Sequence, residues 1–323
     1  MSGFVFGINL VFGLIEEIGY MARVSYVFDN TMNKLGLQGK SIMPMLVSFG
    51  CTIGGAAGTR VIDSWGQRVL TIALAWAVPC GAIFAVIPTL ASAIFGGGGA
   101  ILVMLLLFAI MFVHILITAK IFGRKLSPVE DRTGLIMELP PYHKPRWGNL
   151  LRNTFIRLWD VFRKAFVVVV IVAAIFWALS YSANGEASSS ILYKFGTAIE
   201  PVTKFFGMGW ETFIAFLSSM ISKEAVLGVT SVLFTGSGTI MSATAGAAAA
   251  DANIGSIIAS AISRPEALAF IVAVTFNVPC LMALSSTIHE THSFKWTLRI
   301  ALYYIASALV LSCLTYHIAA LFF

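Results

Sequence analysis

The chain has 323 residues, of which 58% are hydrophobic and 11% charged, and its mean hydropathy is +0.89. A water-soluble domain of this size needs far more polar surface, whereas a bilayer lets apolar side chains face outward without penalty. The net charge of +6 does not point to nucleic acid, because the basic residues cluster in short connections between apolar runs, the bias of cytoplasmic loops.

Windows long enough to cross about 30 Å of hydrocarbon, roughly 20 helical residues each, occur at about 4–24, 69–95, 100–122, 165–182, 211–234, 265–286 and 299–323. The first is not preceded by a basic n-region or followed by a small-residue cleavage site, so no cleavable signal peptide is expected. Residues 41–58 are also apolar but carry Pro44, Gly50, Gly54, Gly55 and Gly58, which break or loosen a helix. A discontinuous or re-entrant segment is predicted there. A full crossing would put Lys34 and Lys40 on the opposite side from Arg60 and Arg68, a conflict with the charge rule that re-entry removes. The expected fold is an all-α polytopic membrane protein of about 7–8 transmembrane helices.

The connection 123–164 holds Arg124, Lys125, Arg132, Lys144, Arg146, Arg152, Arg157, Arg163 and Lys164 against Glu130, Asp131, Glu138 and Asp160. This charge bias predicts a cytoplasmic loop. Its prolines at 140, 141 and 145 force an extended path, and 150–164 resumes helical periodicity with basic residues on one side, as an interfacial helix would. Threading outward from this anchor places 182–210 outside, and the Gly/Ala-rich connection 236–253 and the C-terminus inside.

Ionisable groups within apolar runs cost about 2.5–3.5 kcal/mol each on insertion scales. Glu16 and Glu17 follow twelve largely apolar residues, and Glu224 sits with Lys223 between two apolar halves. Two readings stand: helix-end or ion-paired carboxylates, or carboxylates beside a helix break that attract cations or gate, with Gly19 and Gly228 as the nearby loosening residues. Two further sites join a thiol to a breaker: Pro44, Met45, Gly50 and Cys51 in the first half, and Asn277, Pro279 and Cys280 in the second. Pro79 and Cys80 repeat the theme. A proline frees the carbonyl one turn earlier, so such a break sets carbonyls, a thiol and an amide at one depth, as ligands for a partly dehydrated divalent cation. The bland reading of a membrane cysteine is a small packing residue, and Cys313 is read so. His289 and His292 stand at i, i+3, which is not the zinc-protease spacing, and no phosphate-binding loop occurs. A weak internal symmetry pairs the early acids and Cys51 with the late acid and Cys280.

The strings E-E-I-G-Y-M-A-R at 16–23, G-K-S-I-M-P-M-L at 39–46, F-G-C at 49–51, T-R at 59–60, M-E-L-P-P-Y at 137–142, S-K-E-A-V-L-G at 222–228 and V-P-C at 278–280 together resemble the membrane domain of the ferrous iron transport protein B (FeoB) family, in that family's order and over nearly the whole chain. The resemblance implies two gate-type repeats with broken or re-entrant helices, at about 4–60 and 211–285, around a path for Fe(II) as transported substrate, with no resident cofactor. Cys51 and Cys280 carry over as path-lining thiols, with Cys80 as a third. It further implies three regions: 1–122 with the first gate and following spans, 123–164 as the cytoplasmic basic loop, and 165–323 with the second gate. The family's G-C-N-V-P is here Gly50-Cys-Thr-Ile-Gly, without that amide and proline. The family's G-protein domain is not in this sequence, so the chain is expected not to be an enzyme itself. It is expected to work with a separate small G protein or an accessory iron-transport protein, to be a fragment, or to be a GTPase-independent relative. The expected setting is the cytoplasmic membrane, as a monomer or a homo-oligomer, with lipid and not nucleic acid as partner. Carriage of Mn(II) or a nucleoside, or a non-transporting subunit that binds a G protein, are the alternative functions.

Overall fold

The structure is a computed structural model that describes residues 7, 10–11, 13–15, 17–127, 142, 147–148, 151–152, 154–156, 159, 163, 167, 170, 191–223, 225–235 and 262–322. Glu16, Glu224, most of the connection 128–164, most of the window 165–182 and the whole of 236–253 lie outside the described residues. Among the described residues every regular element is helical. Three stretches are long and apolar enough to cross a membrane, Gly81–Leu126, Arg264–Thr291 and Phe294–Phe322, and Trp210–Ile221 is a shorter apolar helix.

The helices in chain order are α1 (Tyr20–Lys34), α2 (Ile42–Gly50), α3 (Thr52–Gly58), α4 (Trp65–Ala75), α5 (Gly81–Leu126), α6 (Ile191–Phe205), α7 (Trp210–Ile221), α8 (Ala225–Thr235), α9 (Arg264–Phe276), α10 (Leu281–Thr291) and α11 (Phe294–Phe322). The windows read as single spans at 69–95, 211–234 and 265–286 are each interrupted, at residues 76–80, 222–223 and 277–280. Unbroken, a helix of 46 residues would run to about 69 Å at 1.5 Å per residue. α5 instead breaks at Gly96 (φ 74°, ψ 174°), a backbone region open in practice only to glycine. Beyond the break Ile101, Leu102, Leu105, Phe112 and Leu116 are exposed while Val103, Leu107, Met111 and Ile115 are buried. Both faces of this helix are apolar, which suits hydrocarbon on one side and protein on the other.

The chain forms two compact units. The first takes Met1–Gly81, Ala109–Lys164 and Met282–Ala301. Its α1 ends at Gly36 in the left-handed conformation (φ 81°), which glycine adopts without a Cβ clash. Asp29 then accepts the Gly39 N–H at 2.7 Å and seats the 3-10 turn Gly39–Ser41 against α1. α2 and α3 fold back on each other as an antiparallel hairpin. A Cβ on Gly58 would touch Pro44, one on Gly54 would lie 3.1 Å from Val47, and one on Gly55 would run into Ser48 Oγ and the Pro44 carbonyl. Pro44 lies in the first turn of α2, where no intrahelical N–H is needed, and Gly54 and Gly55 lie inside α3. These residues therefore serve close approach, and the reversal falls at Cys51, which is extended (φ −156°, ψ 124°). α4 is buried all round, with Val69, Leu70, Ile72, Ala73, Leu74 and Ala75 fully covered, so it is a core helix.

The second unit takes Ala82–Phe108, Ala165–Leu281 and Leu302–Phe323. Its α9 is buried from Ala267 through Phe276. α8 folds back along α7, giving a second helical hairpin that reverses after Ser222 and Lys223. The α6–α7 turn passes through Gly207 (φ 75°), where the Tyr316 ring leaves no room for a Cβ. The Ser312 hydroxyl stands 3.1 Å from the Phe206 carbonyl and 3.2 Å from that of Ala269, tying α11 to both.

Each unit thus holds a helical hairpin and a half-helix that leads into a Val-Pro-Cys break. Hairpin α2–α3 precedes α4 and Cys80, and hairpin α7–α8 precedes α9 and Cys280. The repeat expected from sequence matched Cys51 to Cys280. The element order instead matches Cys80 to Cys280 and Cys51 to the reversal at 222–223, because direction reversal, and not the thiol, defines the corresponding positions.

Candidate functional site at the paired helix breaks

In the second unit α7 and α9 lie side by side and parallel, held at both ends. At their N-termini Glu266 Oε1 accepts the Gly209 N–H at 2.7 Å and the Thr212 hydroxyl at 3.1 Å. A carboxylate there meets the positive end of the α7 dipole, and Pro265 occupies the first turn of α9 where its missing N–H costs nothing. At their C-termini the fully buried Asn277 donates through Nδ2 to Ser219 Oγ at 2.9 Å and to the Phe216 carbonyl at 3.4 Å. Its Oδ1 accepts the N–H of Val278 at 2.7 Å. Acceptors on the Nδ2 side and a backbone N–H donor on the Oδ1 side fix which way the amide points.

These bonds decide what happens to the last carbonyls of α9. In an unbroken helix the Val274 carbonyl would take the Val278 N–H and the Thr275 carbonyl that of residue 279. Val278 is engaged by Asn277, and Pro279 has no N–H. Both carbonyls are met instead by Lys223, whose Nζ stands 3.1 Å from Val274 O and 3.3 Å from Thr275 O. Lys223 is only 5% exposed. It follows Ser222, the extended residue (φ −151°, ψ 125°) that ends α7. An ammonium suits this place because the C-terminal end of a half-helix carries partial negative charge, and a buried cation must be hydrogen-bonded to be tolerated. The arrangement gathers cation-favouring groups at one break: two half-helix C-termini and loosened carbonyls, beside an amide and the Cys280 residue.

In the first unit Cys51 marks the tip of the α2–α3 hairpin; its N–H donates to Val47 O at 3.1 Å and its carbonyl accepts the Gly55 N–H at 3.1 Å. Met45 is buried on α2 and Gly50 is its last residue. Cys80 is extended (φ −78°, ψ 169°) just before α5. The break preceding it closes on itself, since the Val78 N–H returns to Ala75 O at 3.2 Å. Here Ala77 stands where the second break has Asn277. Glu17 lies in the helical turn before Gly19 and is half-buried, and Gly228 lies inside α8. Each of the four cysteines is half-buried. Among the described residues no group of three or more His, Cys, Asp or Glu could hold a metal ion. Any cation site here rests on carbonyls and amides as much as on side-chain ligands.

Sequence reasoning did not find the second polar feature of the first unit. Arg60 forms a bidentate pair with Glu290, at 2.6 Å from Nη2 to Oε1 and 2.8 Å from Nε to Oε2. The hydrogen bond to that carboxylate, and then its charge, raise the Arg60 guanidinium further above its ordinary range. Trp65 Nε1 donates to the Thr291 carbonyl at 2.9 Å and Trp76 Nε1 to Thr287 Oγ1 at 3.2 Å. Together they fasten α4 and its preceding turn to α10. Of the two histidines singled out, His289 lies 3.6 Å from the same Glu290, a carboxylate already committed to Arg60.

Residues 1–94 and 162–294 match the Gate family, described as nucleoside recognition, and residues 104–157 match the ferrous iron transport protein B C terminus. The chain is 32% identical over 296 residues to the Fe(2+) transporter FeoB of Methanocaldococcus jannaschii, covering 88% of this chain and 42% of that protein. It is 33% identical over 234 residues to FeoB of Escherichia coli K12, covering 70% and 30%. It is 27% identical over 359 aligned positions to an Fe(2+) transport protein A/Fe(2+) transporter FeoB fusion protein of Porphyromonas gingivalis, covering 96% and 41%. The chain therefore spans well under half the length of these relatives. No solved structure matches it.

Proposed function

The chain belongs to the FeoB family of ferrous iron transport proteins, matching its membrane portion, and on that footing we propose that it carries Fe(II) across the cytoplasmic membrane. The observation that carries the reading is the parallel seating of α7 and α9, which brings two negative helix ends to one level beside Asn277 and Cys280. Such ends, with unwound carbonyls, are how discontinuous helices hold cations within a bilayer.

In this reading Cys51, Cys80, Cys280, Asn277, Met45, Glu16, Glu17 and Glu224 line the path. Pro44, Gly50, Gly54, Gly55, Pro79, Gly228 and Pro279 let the two gates move. Each gate consists of one re-entrant hairpin and one broken helix, within 7–8 spans in all. The regions 1–122 and 165–323 carry the gates, and the basic 123–164 connection faces the cytoplasm. Thiols are soft ligands that hold a late divalent ion well, and weak carbonyl and amide ligands let it leave again. A separate G protein or accessory protein is the expected partner; the printed name of the P. gingivalis relative joins transport protein A to FeoB in one chain.

The test is uptake by the purified chain in proteoliposomes, read as Fe(II) quenching of an entrapped fluorescent chelator. Cys280→Ser and Cys51→Ser each lower the initial rate by about tenfold or more, the scale on which loss of metal-site groups acts. The description of the Gate family as nucleoside recognition favours one rival: nucleoside flux in place of Fe(II) flux would establish it. No flux of either, with a G protein still bound, would leave a non-transporting subunit.

A further inference from the structure

The two Val-Pro-Cys breaks meet the same chemical problem and solve it differently. Both contain a proline that cannot serve the carbonyl four residues back. At the first, the backbone closes on itself through Val78 N–H to Ala75 O, a fixed solution that involves no side chain. At the second, the chain prevents that closure, since Asn277 Oδ1 captures the Val278 N–H. It then covers the two opened carbonyls with the ammonium of Lys223. A purely structural need would be met more cheaply by the first arrangement. Lysine is also the side chain suited to reversible occupancy, a compact point charge on a flexible four-carbon stem. Its own backbone follows a helix end, at Ser222, so no helical register holds it.

We propose that Lys223 is a tethered cation occupying an acceptor site made by the Val274 and Thr275 carbonyls, and that a divalent cation must displace it to bind there. The inference rests on the cation-transport reading above and adds a specificity device to it. A tethered group competes at an effective concentration in the millimolar range or above, so a free monovalent ion of equal charge gains nothing by replacing it. A doubly charged ion does gain, because it interacts about twice as strongly with the same oxygens. Lys223 would thus keep the site closed to monovalent ions while yielding to the transported one, and would eject the ion again when it returns.

The experiment measures Mn(II) binding to the detergent-purified chain by electron paramagnetic resonance, beside Fe(II) uptake in proteoliposomes. Lys223→Gln keeps donors for the carbonyls but removes the charge, and Lys223→Met removes both. Both should bind Mn(II) about tenfold more tightly once the tethered competitor is gone. Both should also show a lower KM and a lower maximal uptake rate, because the ion is no longer expelled. Lys223→Arg restores a charge and should return weak binding. Wild-type Mn(II) affinity in Lys223→Gln overturns the proposal, as does tightening in Lys223→Arg equal to that in Lys223→Gln. If wild type carries no Fe(II) while Lys223→Gln still gains Mn(II) binding, the iron reading falls and the tethered cation stands. If wild type carries Fe(II) and the affinity does not change, the reverse holds.

Discussion

Glu290 is 6% exposed and its carboxylate is held by both Nε and Nη2 of Arg60. Losing the guanidinium leaves a charge with little water to replace it, which is costlier than losing an exposed pair. Lys40 and Asp63 form such an exposed pair, 3.3 Å apart, with Asp63 83% exposed. Arg60→Ala should therefore lower the unfolding midpoint in detergent clearly, and Lys40→Ala should leave it nearly unchanged; scanning fluorimetry on the two purified variants distinguishes them. Neither Arg60 nor Glu290 stands out in the sequence, since 230 residues separate them and each alone reads as a loop or helix-end charge. Asn277 and Lys223 were different. Their residue types between apolar halves invited explanation, yet only proximity shows that the amide opens two carbonyls and the ammonium covers them.

A helical hairpin with arms of 9 and 7 residues cannot be recognised by apolarity, because two short apolar helices that reverse look the same in a hydropathy window as one that continues. In the structure the work of Gly54, Gly55 and Gly58 is on the hairpin face. Gly55 sits where a Cβ would overlap Ser48 Oγ and lie 2.8 Å from the Pro44 carbonyl, whereas a Cβ on Gly58 would find its nearest neighbour at 3.7 Å. Gly55→Ala should cost about 1–3 kcal/mol, as overpacking does, and splay the hairpin away from its Cys51 tip. Gly58→Ala should be close to neutral or slightly favourable through its helix propensity. Thermal unfolding of both variants checks the stabilities, and the rate at which a maleimide labels Cys51 reports the tip; faster labelling in Gly55→Ala alone is the expected result.

At the scale of the molecule, the proposed carriage of a divalent cation through a bilayer would couple flux to voltage. Each charge moved across the full field gains about 2.3 kcal/mol per 100 mV, so two charges give uptake a strong dependence on an inside-negative potential. Proteoliposomes with a potassium diffusion potential should take up Fe(II) faster when the inside is negative and slower when it is positive. Uptake indifferent to the sign would mean that compensating charges move with the ion.

Class and composition were settled by the sequence alone: 58% apolar residues and 11% charged cannot cover a water-soluble surface, and windows of about 20 apolar residues have the length of a bilayer crossing. Pro79 and Pro279 each lie in an interruption between helices, and a proline needs no tertiary partner to break the helical ladder. Only the tertiary structure decided that Cys51 and residues 222–223 mark reversals of direction, and that 76–80 and 277–280 are interruptions. It also decided that Val274 and Thr275 face Lys223. A freed carbonyl must find a donor, but which donor depends on what another helix brings within 3 Å, and spacing along the chain carries no information about that.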